Sequence, residues 1–159
     1  MRCFHIIAAA TLALAAGAAS AAGTVQVNFV QPEKFSDVRD SYLNAERHLE
    51  LIKQLIENAA APYLADGQTL KVDVLDVDLA GEVRPGSRPF DVRVLKGRAD
   101  WPRIDLRYAL EAGGQTLRSA TAHVQDMAYL QHISTYGNSE PLPYERRMLE
   151  DWFKTEFKR

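Results

Sequence analysis

Seven basic side chains (Arg84, Arg88, Arg93, Lys96, Arg98, Arg103 and Arg107) fall between residues 84 and 107, against only Asp91, Asp100 and Asp105. That is a local surplus of four positive charges in a chain whose formal net charge is −2. Guanidinium groups present paired N–H donors that match carboxylate and phosphate oxygens. Such a segment offers a surface to an anionic partner: an acidic protein, a phosphorylated glycolipid or a cell-wall polymer. Arg84, Arg88, Arg93, Lys96 and Arg98 are the candidate binding residues. The competing expectation is that these cations pair with Asp76, Asp78 and Glu82 and neutralise a wet sheet face.

Those acids form a second candidate. Asp73, Asp76 and Asp78 lie in one predicted strand, and Asp76 and Asp78, two residues apart, share a face. Paired carboxylates can hold calcium or act as acid and base, but the loop and glycine of a calcium hand are missing, so a solvated face is the default. His123, Asp126 and His132 supply imidazole and carboxylate suited to zinc, at a spacing that matches no tight motif. A metal-dependent hydrolase would draw on Asp76, Asp78, His123 and Asp126. The sequence holds no Gly-x-Ser-x-Gly elbow and no phosphate-binding glycine loop, and it points to no cofactor. Ser87 and Ser119 read as a loop residue and a strand residue, and His48 as a residue bordering a helix's apolar stripe.

The elements that must position these groups follow from periodicity. Residues 24–30 alternate apolar and polar, the signature of a half-buried strand, and Pro32 ends it. Residues 41–61 carry Ala45, Leu49, Ile52, Leu55, Ile56 and Ala59 at helical spacing. Residues 70–79 read as a strand whose apolar positions change parity, which requires a bulge near Val74-Leu75 or cover on both faces. Residues 81–89 read as an irregular, mobile connection and residues 90–96 as a third strand or edge segment. Residues 103–112 and 115–126 flank Gly113-Gly114, a two-residue hairpin signal. Uninterrupted pairing from that turn places Leu110–Leu117, Tyr108–Ser119, Leu106–Thr121 and Ile104–His123 on the buried side. It places Ala109–Arg118, Arg107–Ala120 and Asp105–Ala122 on the other.

After a polar loop, residues 143–157 form a last helix with proline in its first turn and an aromatic stripe of Tyr144, Met148, Leu149, Trp152, Phe153 and Phe157, read as core. The order predicts a single two-layer α+β domain: a mostly antiparallel sheet of 4–5 strands with two main helices on one face.

The N-terminus carries an address. Arg2 precedes an uncharged apolar run, residues 6–16, and Ala19-Ser20-Ala21 supplies a small-x-small cleavage pattern. Residues 1–21 are therefore expected to leave as a secretory signal, and residues 22–159 to form the released domain. Cys3, the only cysteine, leaves with the signal, and it precedes the apolar run where a lipoprotein's cysteine would follow it. A thiol-free domain has no disulfides, thiolate zinc sites or cysteine nucleophile. Loss of Arg2 takes the net charge from −2 to about −3, which argues against bulk affinity for nucleic acid or membrane. No second apolar stretch approaches membrane length. The expected location is a Gram-negative periplasm.

Four motifs, residues 29–37, 76–82, 100–104 and 144–153, resemble an uncharacterised family of bacterial secreted proteins, domain-of-unknown-function family three thousand and sixteen. The resemblance covers essentially the whole released chain. It implies an exported Gram-negative protein and brings no activity, cofactor or catalytic residue. The favoured reading is a cell-envelope binding module for an unidentified, anionic partner. The alternatives are the hydrolase above and a structural or stress-related envelope protein without a small ligand.

Overall fold

Val25, Val27 and Phe29 alternate with Thr24, Gln26 and Asn28, so β1 (Thr24–Phe29) turns one half-buried side inward and one exposed side out. The computed structural model describes residues 22–39, 45–86, 92–131 and 140–158. After β1 come α1 (Ala45–Ala60), β2 (Gln68–Asp78), β3 (Glu82–Arg84), β4 (Val92–Val94), β5 (Arg103–Ala112), β6 (Gln115–Gln125) and α2 (Pro143–Glu156). β1 and β2 are parallel, and α1 supplies the long crossover connection that parallel neighbours need. β5 and β6 add antiparallel, giving the order β1-β2-β5-β6. The fold is thus α+β with a mainly antiparallel sheet. β3 and β4 form a separate two-stranded sheet, so residues 82–84 are strand where an irregular connection is expected from sequence. Residues 41–44, 87–91 and His132, which figure in the sequence expectations, lie outside the described residues.

Leu70, Val72, Val74, Val77, Ile104, Leu106 and Tyr108 line the covered sheet face, and Ile52, Ile56, Met148, Leu149 and Phe153 pack on it from the helices; all are buried. The opposite face is polar. The parity change in β2 is resolved by a bulge: Val74 pairs with Leu106 and Asp76 with Asp105, leaving Leu75 over. Val77 then rejoins the core while Asp76 and Asp78 stay on the polar face.

The β5–β6 hairpin corrects the register expected from an uninterrupted turn. Gly113 and Gly114 both take left-handed angles (φ 57° and 77°), as a two-residue hairpin turn requires. Two pairs later the ladder slips: Glu111 pairs with Thr116, but Leu110 pairs with Arg118, so Leu117 is the extra residue. Ile104 therefore faces Val124, Leu106 faces Ala122 and Tyr108 faces Ala120, while His123 pairs with Asp105 on the open face. Uninterrupted pairing would have turned Ser119, Thr121 and His123 toward the core. Of those places only the one Val124 takes opposite Ile104 is buried, and putting the His123 ring there costs more than one bulge.

Candidate functional site

Most of the basic residues singled out from sequence are tied into the fold by acids from distant segments. Arg93 is the most committed. Its guanidinium grips both carboxylate oxygens of Asp37 (2.9 and 3.2 Å) and donates to the carbonyls of Ala80, Gly81 and Arg39. Lys96 and Arg84 both contact Glu82, Arg103 pairs with Asp78, and Arg107 holds Asp73 at 2.7 Å. Arg98 is exposed; its backbone amide donates to Asp100. The surplus counted along the chain is thus largely cancelled in space by Asp37, Asp73, Asp78 and Glu82, which lowers the field this surface presents to an anion.

The same region is braced by two buried acids. Asp100 accepts from the amides of Lys96 (2.6 Å) and Arg98 (2.8 Å) and from the Tyr129 hydroxyl (3.0 Å). Burial pushes its carboxyl up, but those donors outweigh burial and hold it below its ordinary value. Glu145, in the first turn of α2, accepts from the Ala80 amide at 2.7 Å. Its carboxyl is raised by burial, against the pull of the Ala80 amide and the charge of Arg93. Residues 78–81 are thus held by Glu145 from α2, Arg93 from β4 and Arg103 from β5. Gly81 sits at φ 85°, where a Cβ would lie 2.8 Å from the Val94 carbonyl.

The acids and histidine of the hydrolase alternative are each engaged by the chain itself. Asp76 accepts from the Ser36 amide and hydroxyl and from the Val77 amide. Asp78 is held by Arg103, and burial, with the nearby charges of Asp37 and Asp76, raises its carboxyl against the pull of that arginine. His123 Nδ1 meets Asp105, and Asp126 accepts from the Ala128 amide. Asp76, Asp105 and His123 form one row across three strands, so Asp76 and His123 stand about 10 Å apart at the usual strand spacing. Among the described residues no three His, Cys, Asp or Glu side chains converge as metal ligands.

Sequence reasoning missed a different surface. β6 is a sheet edge, and among the described residues only β5 pairs with it. The start of this strand is stapled to the end of α2: Arg118 donates to the Glu156 carbonyl (2.6 Å) and carboxylate and lies over the rings of Tyr108 and Phe157. Further along the strand Ala120 and Ala122 point to the helix side, yet Ala120 is exposed and Ala122 only half-buried. A groove of about 310 Å³ opens between the end of β6 and α2, lined by His123, Gln125, Asp126, Met148, Asp151 and Trp152. Trp101 donates from its indole nitrogen to Gln125 at the same end of the strand. The alternating pattern of residues 115–126 reveals a strand but not which neighbours it lacks, so this edge has no local sequence signal.

The chain belongs to the family DUF3016, described as a protein of unknown function, whose pattern it matches over residues 23–155. No curated protein matches it. Among solved structures, a minor lipoprotein from Acinetobacter baumannii aligns over 85% of this chain and 89% of its own, with 12% identity and a TM-score of 0.30. A likeness at that level bears on neither fold nor function.

Proposed function

We propose that this member of DUF3016 is an exported cell-envelope interaction module, without catalysis of its own, that binds a partner through the β6 edge and the adjoining groove. Export rests on the tripartite N-terminal pattern of residues 1–21. One observation carries the choice of surface. β6 runs for 11 residues at the edge of the sheet, and beside it a groove opens against α2. Edge strands of that length expose a row of backbone donors and acceptors that natural proteins otherwise blunt.

In-cell photo-crosslinking tests the reading. A photoreactive residue replaces Thr121 on β6, Arg98 in the basic segment or Gln54 on the exposed side of α1, one at a time. A discrete partner captured from position 121 and not from 54 is the expected result. Capture from position 98 alone would overturn it in favour of an anionic partner on Arg84, Arg88, Lys96 and Arg98. Equal labelling from all three positions would overturn both.

A further inference from the structure

We infer that the occupant of the β6 edge is a second copy of this chain, whose own β6 pairs antiparallel with the first about a twofold axis at Ala122. The inference rests on the interaction surface proposed above and names its partner.

The edge itself calls for a strand. Among the described residues β6 pairs only with β5, so every second residue turns its backbone N–H and C=O outward, and only another strand can meet that row. From Ser119 to Gln125 the strand has no proline, lysine or bulge, and its one ionisable side chain, His123, is turned onto Asp105. The line of the ladder continues one step beyond the strand, where the Asp126 amide donates to the Pro102 carbonyl.

Self-complementarity selects both the copy and the register. Outward-bonding residues must meet outward-bonding residues, so the axis of such a pair falls on a residue, and positions equally far from it on either side come together. Leu117 (55% exposed) and Met127 (64%) are the two most exposed large apolar side chains among the described residues. They stand five positions before and five after Ala122. An axis at Ala122 therefore brings Leu117 of each copy to Met127 of the other, covering both side chains twice over. Between them Ser119 meets Gln125, Ala120 meets Val124 and Thr121 meets His123, while the small Ala122 meets itself. Arg118 stays on Glu156 of its own chain and comes opposite Asp126 of the second copy, so no like charges face each other. Moving the axis by one residue loses this fit. On Thr121 it sets Arg118 against Val124 and Leu117 against Gln125; on His123 it sets the imidazole against its own copy and Met127 against Ser119.

The test uses the exported chain carrying C3S, so that any introduced thiol is the only one. One ladder with a Leu–Met contact at each end is a small interface, so sedimentation velocity should show self-association at about 10–100 μM. As concentration rises through that range, hydrogen exchange of every second amide within residues 119–125 should slow, and exchange elsewhere should not. A122C should oxidise to a disulfide-linked dimer at least about tenfold faster than T121C or Q54C, because only the residue on the axis meets its own copy within disulfide reach. T121C and H123C, slow separately, should link when mixed. L117S removes both Leu–Met contacts at once and should weaken self-association about tenfold. An unchanged exchange pattern in the dilute variants shows that the fold is intact.

Three results would overturn the inference: a monomer up to about 1 mM, concentration-dependent protection confined to other elements, or T121C linking to itself as fast as A122C. If the chain stays monomeric while position 121 captures a different protein in cells, the interaction surface stands and the second copy falls. Capture of this chain itself from position 121 supports both.

Discussion

Replacing Glu145 separates two effects that act at one buried carboxyl. Its oxygen accepts the Ala80 amide at 2.7 Å, and the side chain is 2% exposed. E145A would leave that amide unsatisfied and open a space where the side chain stood. An unmet buried donor costs about 1–3 kcal/mol, and the lost packing adds about 1 kcal/mol, so E145A should lose about 2–4 kcal/mol. For a chain of this size that lowers Tm by roughly 8–15 °C. E145Q keeps an acceptor for Ala80 and needs no buried charge, so it should stay within about 1 kcal/mol of the parent at neutral pH. The pH dependence has a definite sign. Because burial raises this carboxyl in the folded state, the native protein holds its proton to higher pH than the unfolded chain does. Its contribution is therefore fully present below the ordinary glutamate value and declines as pH rises through the folded value. E145Q lacks that decline, so its stability relative to the parent should improve on going from pH 4 to pH 8. Urea midpoints across that range measure it. If E145Q were as damaging as E145A, or its relative stability fell with pH, the assignment of Glu145 as a buried acceptor that is costly to ionise would be refuted.

Asp100 should behave with the opposite sign: its carboxyl is lowered, so its stabilisation is present above the ordinary aspartate value and disappears as pH falls through the folded one. D100A should cost about 2–4 kcal/mol near neutrality, from three lost hydrogen bonds, and flatten the acid limb of the stability profile measured by urea unfolding. G81A adds a Cβ 2.8 Å from a backbone carbonyl at φ 85° and should lower stability by about 2 kcal/mol or more, read as a thermal midpoint. Deleting Leu117 should be tolerated within about 1 kcal/mol, since it removes the extra residue and leaves every later β5–β6 pair unchanged. Loss of the hairpin's amide protection in that deletion would show that the bulge is required.

Periodicity carried the elements well and their lateral relations poorly. The parity change at Val74-Leu75 announced its bulge because apolar residues on both sides had to reach one core. The second bulge gave no such notice. Residues 119–123 alternate serine, alanine, threonine, alanine and histidine, so neither face is hydrophobic enough to declare itself. Uninterrupted alternation consequently turns His123 inward, whereas it lies on the open face beside Asp105. The charges show the same limit. Counting along the chain finds the surplus at residues 84–107, but the acids that answer it come from elsewhere: Asp37 is 56 positions from Arg93, Asp73 is 34 from Arg107 and Asp78 is 25 from Arg103. The parity rule placed Asp76 and Asp78 on one face, and pairing with β5 decided what they meet there.

The candidate surface emerges from what the β6 sequence spends its residues on. A strand that only closes a sheet needs inward apolar bulk and outward charge, because both stabilise the fold and discourage pairing with other chains. β6 has the first only at its end, where Val124 is buried, and the second only at its start, where Arg118 is taken up by Glu156. Between them Ala120 and Ala122 contribute little burial, and Ser119 and Thr121 little repulsion. β1, the other edge, is 6 residues long and packs Val25, Val27 and Phe29 against the core. The two edges therefore differ in kind. A selection for stability alone would have put larger side chains at 120 and 122, covering more apolar surface on the helix side of the sheet. A120V should accordingly stabilise the free domain while obstructing whatever the β6 edge receives, and the two effects can be measured on the same protein, by thermal midpoint and by crosslinking from position 121. Stabilisation with undiminished capture would mean that the helix side of β6 at position 120 takes no part in recognition.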